Sequence, residues 1–217
     1  MKKNTLIYGG GAIGSFIAVC LTNSNHKIFF LCRKKNYKVI KNKGLKLKVF
    51  NNNKLLKNFH IKNGKNFTVL NSLEKLKNEK FNNIFITTKI TENLKKIFNK
   101  IEPFINKNTL IITPCTSIPF WWFLCLKKKL KNKNKIQKQL NIFFKKNIKR
   151  KNLVGMTMWL SGKLVSPGNF VIKHIQRGFP IKEVFSKRRK QVNQLRNDIR
   201  KTCISPKVKN IYSEIFI

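Results

Sequence analysis

The chain has 217 residues, 41% of them hydrophobic, with 48 Lys and Arg against seven Asp and Glu for a formal net charge of +41. That apolar content is enough for a core and excludes a disordered polycation. The charge is dispersed and mostly Lys, and Lys, Asn, Ile and Phe are abundant together, as A- and T-rich codons produce; no RNA-binding aromatic signature, zinc spacing or helix-turn-helix pattern points to a specific nucleic-acid reader.

At the N-terminus, Lys2 and Lys3 followed by the uncharged run from Thr5 to Leu21 imitate an export signal. Gly9, Gly10 and Gly11 argue against it, because each glycine costs an apolar helix about 1 kcal/mol relative to alanine. No small-x-small cleavage site follows, and the run falls short of the roughly 20 residues of a membrane span. A strand–turn–helix accounts for the same residues better. Thr5 to Tyr8 reads as a strand, Gly9, Gly11 and Gly14 form GxGxxG, and Ala12 to Leu21 reads as an apolar helix. In that arrangement Gly9 permits the tight turn, Gly11 lets backbone approach a diphosphate, and Gly14 lets the helix lie close on the strand. The anion is met by unpaired N–H groups and the positive end of the helix dipole.

A lone GxGxxG is weak evidence, so the next strand matters. Lys27 to Cys32 reads as a buried strand ending on Arg33. At that place an acidic residue binds the ribose 2′-hydroxyl of NAD, whereas an Arg accommodates the 2′-phosphate of NADP. Arg33, with Lys34 and Lys35 behind it, favours NADP as cofactor over a plain solvated cation.

Asn36 to Gly44 reads as a Lys-rich helix or turn. Leu45 to Phe50 alternates with period two and is expected to pair with Phe59 to Lys62 or with Phe67 to Leu70. Leu73 to Lys80 reads as a short helix, Ile84 to Thr88 as a buried strand leading to Lys89, and Glu92 to Lys100 as a helix stopped by Pro103. Leu110 to Thr113 is the next strand, leading to Thr116. Alternating strands and helices imply a parallel sheet, and the carboxyl ends of its strands bring the Gly9 loop, Arg33, Lys89 and Thr116 to one edge. Lys89 has three candidate partners there, a cofactor phosphate, the nicotinamide side or an acidic substrate, beside the plain reading as a solvated lysine.

Phe120 to Phe123 reads as a core anchor, and residues 127–151 as a Lys-rich insertion. Leu153 to Leu160 is expected to be a strand, Pro167 and Gly168 a turn, and Phe170 to Ile175 a strand pairing back. Ser186 to Lys201 reads as a basic helix. The five cysteines are odd in number and have no CxxC pair, which fits reduced thiols in a cytoplasm. His26, His60 and His174 lack metal-ligand spacing.

These pieces resemble the ketopantoate reductases (2-dehydropantoate 2-reductases). The residues that carry the resemblance are "GGGAIGS", "LCR", "TTK" at Thr87 to Lys89, "IPFWWF" at Ile118 to Phe123, "LVGMTMWLS" at Leu153 to Ser161, "VSPGNFVIKH" at Val165 to His174, and "NIYSEIFI" at Asn210 to Ile217. The resemblance implies an α/β fold, a Rossmann-type doubly wound, mostly parallel sheet with extra antiparallel strands over residues 1–200. Residues 201–217 would form a linker and the start of a helical domain that is missing.

It further implies that Gly9, Gly10, Gly11, Ala12, Ile13 and Gly14 wrap the diphosphate of NADP and that Arg33 takes the 2′-phosphate. Lys89, Thr116 and Ser161 would fall at the cofactor edge. The family pattern has Asn-Gly where Thr116 and Ser117 stand, so Thr116 brings a hydroxyl in place of a carboxamide. The family's catalytic lysine falls one position past Ile217, so no catalytic residue is assigned and little or no turnover is expected of this chain alone. The implied substrate is a small 2-keto acid. A separately encoded helical half or a homo-oligomer is a further implied partner, and neither a membrane nor a specific nucleic acid is expected. Two rivals are a non-catalytic NADP-binding protein and a basic polyanion binder.

Overall fold

A computed structural model describes residues 2–51, 53–76, 79–89, 94–115, 119, 121, 148–173, 179–185 and 189–201. The element order is β1 (Lys3–Tyr8), α1 (Ala12–Thr22), β2 (His26–Leu31), α2 (Lys34–Lys43), β3 (Leu45–Asn51), β4 (Lys54–Ile61), β5 (Phe67–Leu70), β6 (Asn83–Ile86), α3 (Leu94–Ile101), β7 (Leu110–Cys115), β8 (Leu153–Thr157), β9 (Ser161–Ser166), β10 (Asn169–Lys173), β11 (Ile181–Glu183) and α4 (Arg189–Arg200). Among the described residues two sheets form, one of seven strands in the order β11-β8-β7-β6-β1-β2-β5 and one of four in the order β4-β3-β10-β9. In the larger sheet every pairing is parallel except β11 with β8. The fold is a Rossmann-type α/β sheet with an added smaller sheet.

The apolar runs of the sequence become strands buried on both faces, as a covered parallel sheet requires. Along β1, Ile7 faces the cluster under α1, α4 and the smaller sheet, while Leu6 faces the opposite cluster that holds Leu94, Ile97, Phe98 and Ile101 of α3. α1 is buried from Gly14 to Leu21, which explains why it imitates a membrane segment. No helix among the described residues is long and apolar enough to cross a membrane. Trp121 is fully buried in the α3-side cluster, in keeping with the core reading of that aromatic stretch.

Of the two partners expected for Leu45 to Phe50, the stretch containing Phe59 is the one taken, and the return pairing of Phe170 differs from expectation. Phe67–Leu70 does not join Leu45–Asn51; it extends the main sheet beside β2, because its apolar side chains are buried there. β3 takes β4 as its antiparallel partner, and its LKLKVF alternation appears as alternating burial. β10 pairs back on β9 instead of on β8, and lies parallel to β3 on its other side. Two hairpins far apart in sequence thus join into one sheet. The helix expected over Leu73 to Lys80 is, among the described residues, one 3-10 turn at Glu74–Leu76. Thr116, Ser117, Trp122, His174, most of the 127–151 insertion and "NIYSEIFI" lie outside the described residues. Cys20 is disulfide-bonded, against the expectation of reduced thiols; chain spacing does not show which sulfurs a fold brings together.

At the amino ends of β1 and β2, a buried hydrogen-bond chain ties α4 to the sheet. The Asp198 carboxylate accepts from His26 Nε2 at 3.0 Å and from Lys3 Nζ at 3.1 Å. That assigns the ring proton to Nε2, so Nδ1 accepts from the Thr5 hydroxyl at 2.9 Å, and Thr5 Oγ1 accepts from Asn83 Nδ2 at 3.1 Å. Burial lowers the His26 pKa from 6.5, with Lys3 adding to the effect, and together they outweigh the pull of Asp198. Burial pushes the Asp198 carboxyl up, but the hydrogen bonds from His26 and Lys3 prevail and hold it below 3.8.

Both pKa values are depressed in the folded state, so both groups contribute stability that is lost as pH falls. The expected result is an unfolding free energy that is flat from about pH 8 to 7 and declines below about 6.5, where the unfolded histidine gains its proton first, by at most about 1.4 kcal/mol per pH unit. Equilibrium unfolding of the wild type beside His26→Gln checks this. An unchanged decline in the variant would assign the acid sensitivity elsewhere.

Candidate functional site

β1 and β6 lie side by side with parallel register, Tyr8 opposite Ile86. The sheet runs β5-β2-β1 to one side and β6-β7-β8 to the other, so the winding reverses between β1 and β6. The loops leaving two strands at such a point diverge and open a crevice beyond their carboxyl ends.

The loop leaving β1 is Gly9–Gly11, and α1 starts immediately after it. Gly9 has φ +127°, a conformation side chains rarely adopt, and a Cβ there would meet Thr88 N at 2.8 Å and the Thr87 carbonyl carbon at 2.9 Å. A Cβ on Gly14 would sit 2.1 Å from the Gly9 carbonyl oxygen, and one on Gly10 2.1 Å from the Cys32 Cβ. The loop is therefore packed on three sides. At Gly11 a Cβ would meet nothing within 4 Å, so this position faces open space.

Gly11 caps α1 without a side-chain hydrogen bond, and the first turn holds no acidic residue. Ser15 N donates to the Gly11 carbonyl at 2.9 Å. The N–H groups of Ala12, Ile13 and Gly14 therefore precede the first intrahelical bond, and with the helix dipole they favour an anion beside Gly11.

Arg33 follows β2 at the same edge. Its backbone caps α2 in an extended conformation, φ −68° and ψ 155°, and its carbonyl accepts from Tyr37 N at 2.9 Å. Cys32 N donates to the Leu70 carbonyl at 2.9 Å, which pins the strand end on β5. Arg33, Lys34 and Lys35 are exposed, as is Lys89, three positions past β6. Cys32 itself lies buried under Gly10, and burial pushes its thiol up to about 12, so it is a packing group and not a nucleophile.

Ser161 is exposed at the first position of β9, its hydroxyl 3.5 Å from the Lys173 carbonyl. The next residue, Gly162, is seated on α1: a Cβ there would lie 2.7 Å from the Ala12 Cβ. The smaller sheet thereby reaches the start of α1. Of the residues singled out from sequence, Gly9, Gly10, Gly11, Ala12, Ile13, Gly14, Arg33 and Lys89 share the carboxyl edge of the main sheet, and Ser161 adjoins it across Gly162. Thr116 is the position after β7 and lies outside the described residues.

Two side chains to which sequence reasoning assigned no role hold the glycine loop. Thr87 Oγ1 donates to the Gly9 carbonyl at 2.7 Å, and its backbone N donates to the Tyr8 carbonyl at 3.0 Å. Asn36 Nδ2 donates to the Gly10 carbonyl at 3.2 Å, while its Oδ1 accepts from Gly168 N at 3.3 Å. A threonine ending a strand carries a weak signal, and an asparagine in the first turn of a helix in an Asn-rich chain carries none.

The sequence model of the family described as ketopantoate reductase PanE/ApbA matches residues 5–115, just over half of the chain. Solved structures that share the fold include the following three. D-mandelate dehydrogenase, in a ternary structure with NADH and anilino(oxo)acetate, has a TM-score of 0.69 at 18% identity, covering 98% of this chain and 59% of that one. 2-Dehydropantoate 2-reductase from Porphyromonas gingivalis W83 has a TM-score of 0.65 at 12% identity, with 95% and 64% covered. The enzyme of that name from Methylococcus capsulatus gives 0.63 at 16%, with 93% and 55% covered. The chain thus spans between 55% and 64% of the length of these proteins. No curated protein matches it.

Proposed function

This chain belongs to the ketopantoate reductase PanE/ApbA family, and from that premise we propose that it binds NADPH in the crevice between β1 and β6, as the cofactor-binding part of a 2-dehydropantoate 2-reductase-like oxidoreductase acting on a small 2-keto acid. One observation carries this reading: the loop that opens at Gly11 sits where the strand order reverses, packed too closely at Gly9 and Gly14 for any side chain. That cradle fits a diphosphate, which needs backbone N–H groups and no intervening Cβ. When bound, the reduced nicotinamide supplies a hydride.

The residues of this chain bind and orient. The Gly9–Gly14 segment takes the diphosphate, and the exposed Arg33 takes the 2′-phosphate, its fork of donors matching phosphate oxygens. Lys89 adds a positive charge at the crevice, and Ser161 flanks it from β9. The net charge of +41 draws a polyanionic cofactor toward this edge in a salt-dependent way.

Titrating NADPH into the full chain and following its fluorescence tests the binding step. Saturable enhancement is the expected result, and its absence at low salt overturns the reading. Adding ketopantoate and following NADPH absorbance then separates an oxidoreductase, which consumes NADPH, from a non-catalytic binder, which does not.

A further inference from the structure

Asn36 makes two hydrogen bonds, one from its Nδ2 to the Gly10 carbonyl 26 positions before it and one to its Oδ1 from the Gly168 amide 132 positions after it. Gly168 forms the turn between β9 and β10, and its carbonyl accepts from Lys46 N of β3 at 2.9 Å. The asparagine therefore stands between the glycine loop of the main sheet and the turn of the smaller one.

The consequence for the loop follows from peptide geometry. No cis peptide bond is present among the described residues, and in a planar trans peptide the C=O and the following N–H point in opposite directions. Holding the Gly10 carbonyl toward α2 turns the Gly11 N–H away from it. Thr87 acts likewise one peptide earlier: by holding the Gly9 carbonyl it turns the Gly10 N–H away from β6. Without such anchors the carbonyls of a glycine run are free to rotate outward, and one carbonyl dipole facing an anion cancels the benefit of a neighbouring N–H.

We propose that Asn36 is a positioning residue for the diphosphate: by clamping the Gly10 carbonyl it presents the Gly11 N–H to the ligand, and by clamping the β9–β10 turn it makes the smaller sheet part of the cofactor site. This rests on the NADPH reading above. It predicts an effect centred on the diphosphate, since the two Asn36 hydrogen bonds go to backbone of the glycine loop and of the β9–β10 turn and neither goes to Arg33.

The test compares two ligands, NADPH and adenosine 2′-phosphate, which keeps the 2′-phosphate and lacks the diphosphate. In Asn36→Ala, NADPH affinity is expected to fall about tenfold, the size of one hydrogen bond to a charged site, with adenosine 2′-phosphate unchanged within about twofold. Asn36→Asp retains the acceptor for Gly168 N but sets a carboxylate oxygen against the Gly10 carbonyl, so its NADPH affinity should fall at least as far as that of Asn36→Ala and further than its affinity for adenosine 2′-phosphate. Equal weakening of both ligands, no weakening of either, or unfolding of both variants overturns the proposal while leaving the NADPH reading intact. Failure of the wild type to bind either ligand overturns both.

Discussion

Replacing Gly14 by Ala is expected to destabilise the fold by a net of about 2 kcal/mol, although alanine is the better helix former. The new Cβ would lie 2.1 Å from the Gly9 carbonyl oxygen and 2.8 Å from Thr87 Oγ1. The first is backbone, so α1 must move off β1 or the loop must open. Overpacking of that kind costs about 3 kcal/mol, against a gain in helix propensity of about 1 kcal/mol. In a chain of this size the difference lowers the thermal midpoint by roughly 4–8 °C. Gly11→Ala is the contrast, because nothing lies within 4 Å of its added methyl. That variant should unfold like the wild type and bind NADPH poorly. Thermal unfolding of the two variants side by side checks the contrast, and a Gly14→Ala protein as stable as the wild type would mean that α1 does not lie where it is described.

Arg33→Asp is expected to reverse the cofactor preference. A guanidinium–phosphate pair is worth about 1.5–3 kcal/mol, and an aspartate adds repulsion against the 2′-phosphate, so NADPH affinity should drop by about a hundredfold or more. NADH should be held as well as before or better, since a carboxylate at the end of the second strand accepts from the ribose 2′-hydroxyl. Arg33 sits at an exposed helix cap, so the fold should be indifferent to the change. Parallel titrations with NADPH and NADH at fixed salt decide it. If NADPH binds the variant as tightly as the wild type, Arg33 does not read the phosphate.

Much of this was legible locally. The stretch from Thr5 to Leu21 specifies strand, turn and helix by itself, because three glycines cannot extend an apolar helix cheaply and the flanking runs have the right lengths. The alternation of "LKLKVF" likewise appeared as alternating burial along β3. Partners were less legible. Phe67–Leu70 suits either sheet by composition, and only burial against β2 assigns it to the larger one. The partner of Phe170–Ile172 was misjudged because β9, which is exposed along its whole length, has no apolar pattern to announce a strand.

The sequence alone therefore determined the apolar strands and helices, the glycine cradle and the cation after the second strand, since turn chemistry and hydrophobic period act over a few residues; it did not announce the exposed β9 or the single turn at Glu74–Leu76. Tertiary structure alone decided that two distant hairpins make one sheet, that Gly162 rests on Ala12, and that Thr87 and Asn36 hold the carbonyls of the loop. Those contacts join residues from 78 to 150 positions apart, or are spent by a single common side chain, and hydrogen bonds of that kind leave no period in a sequence.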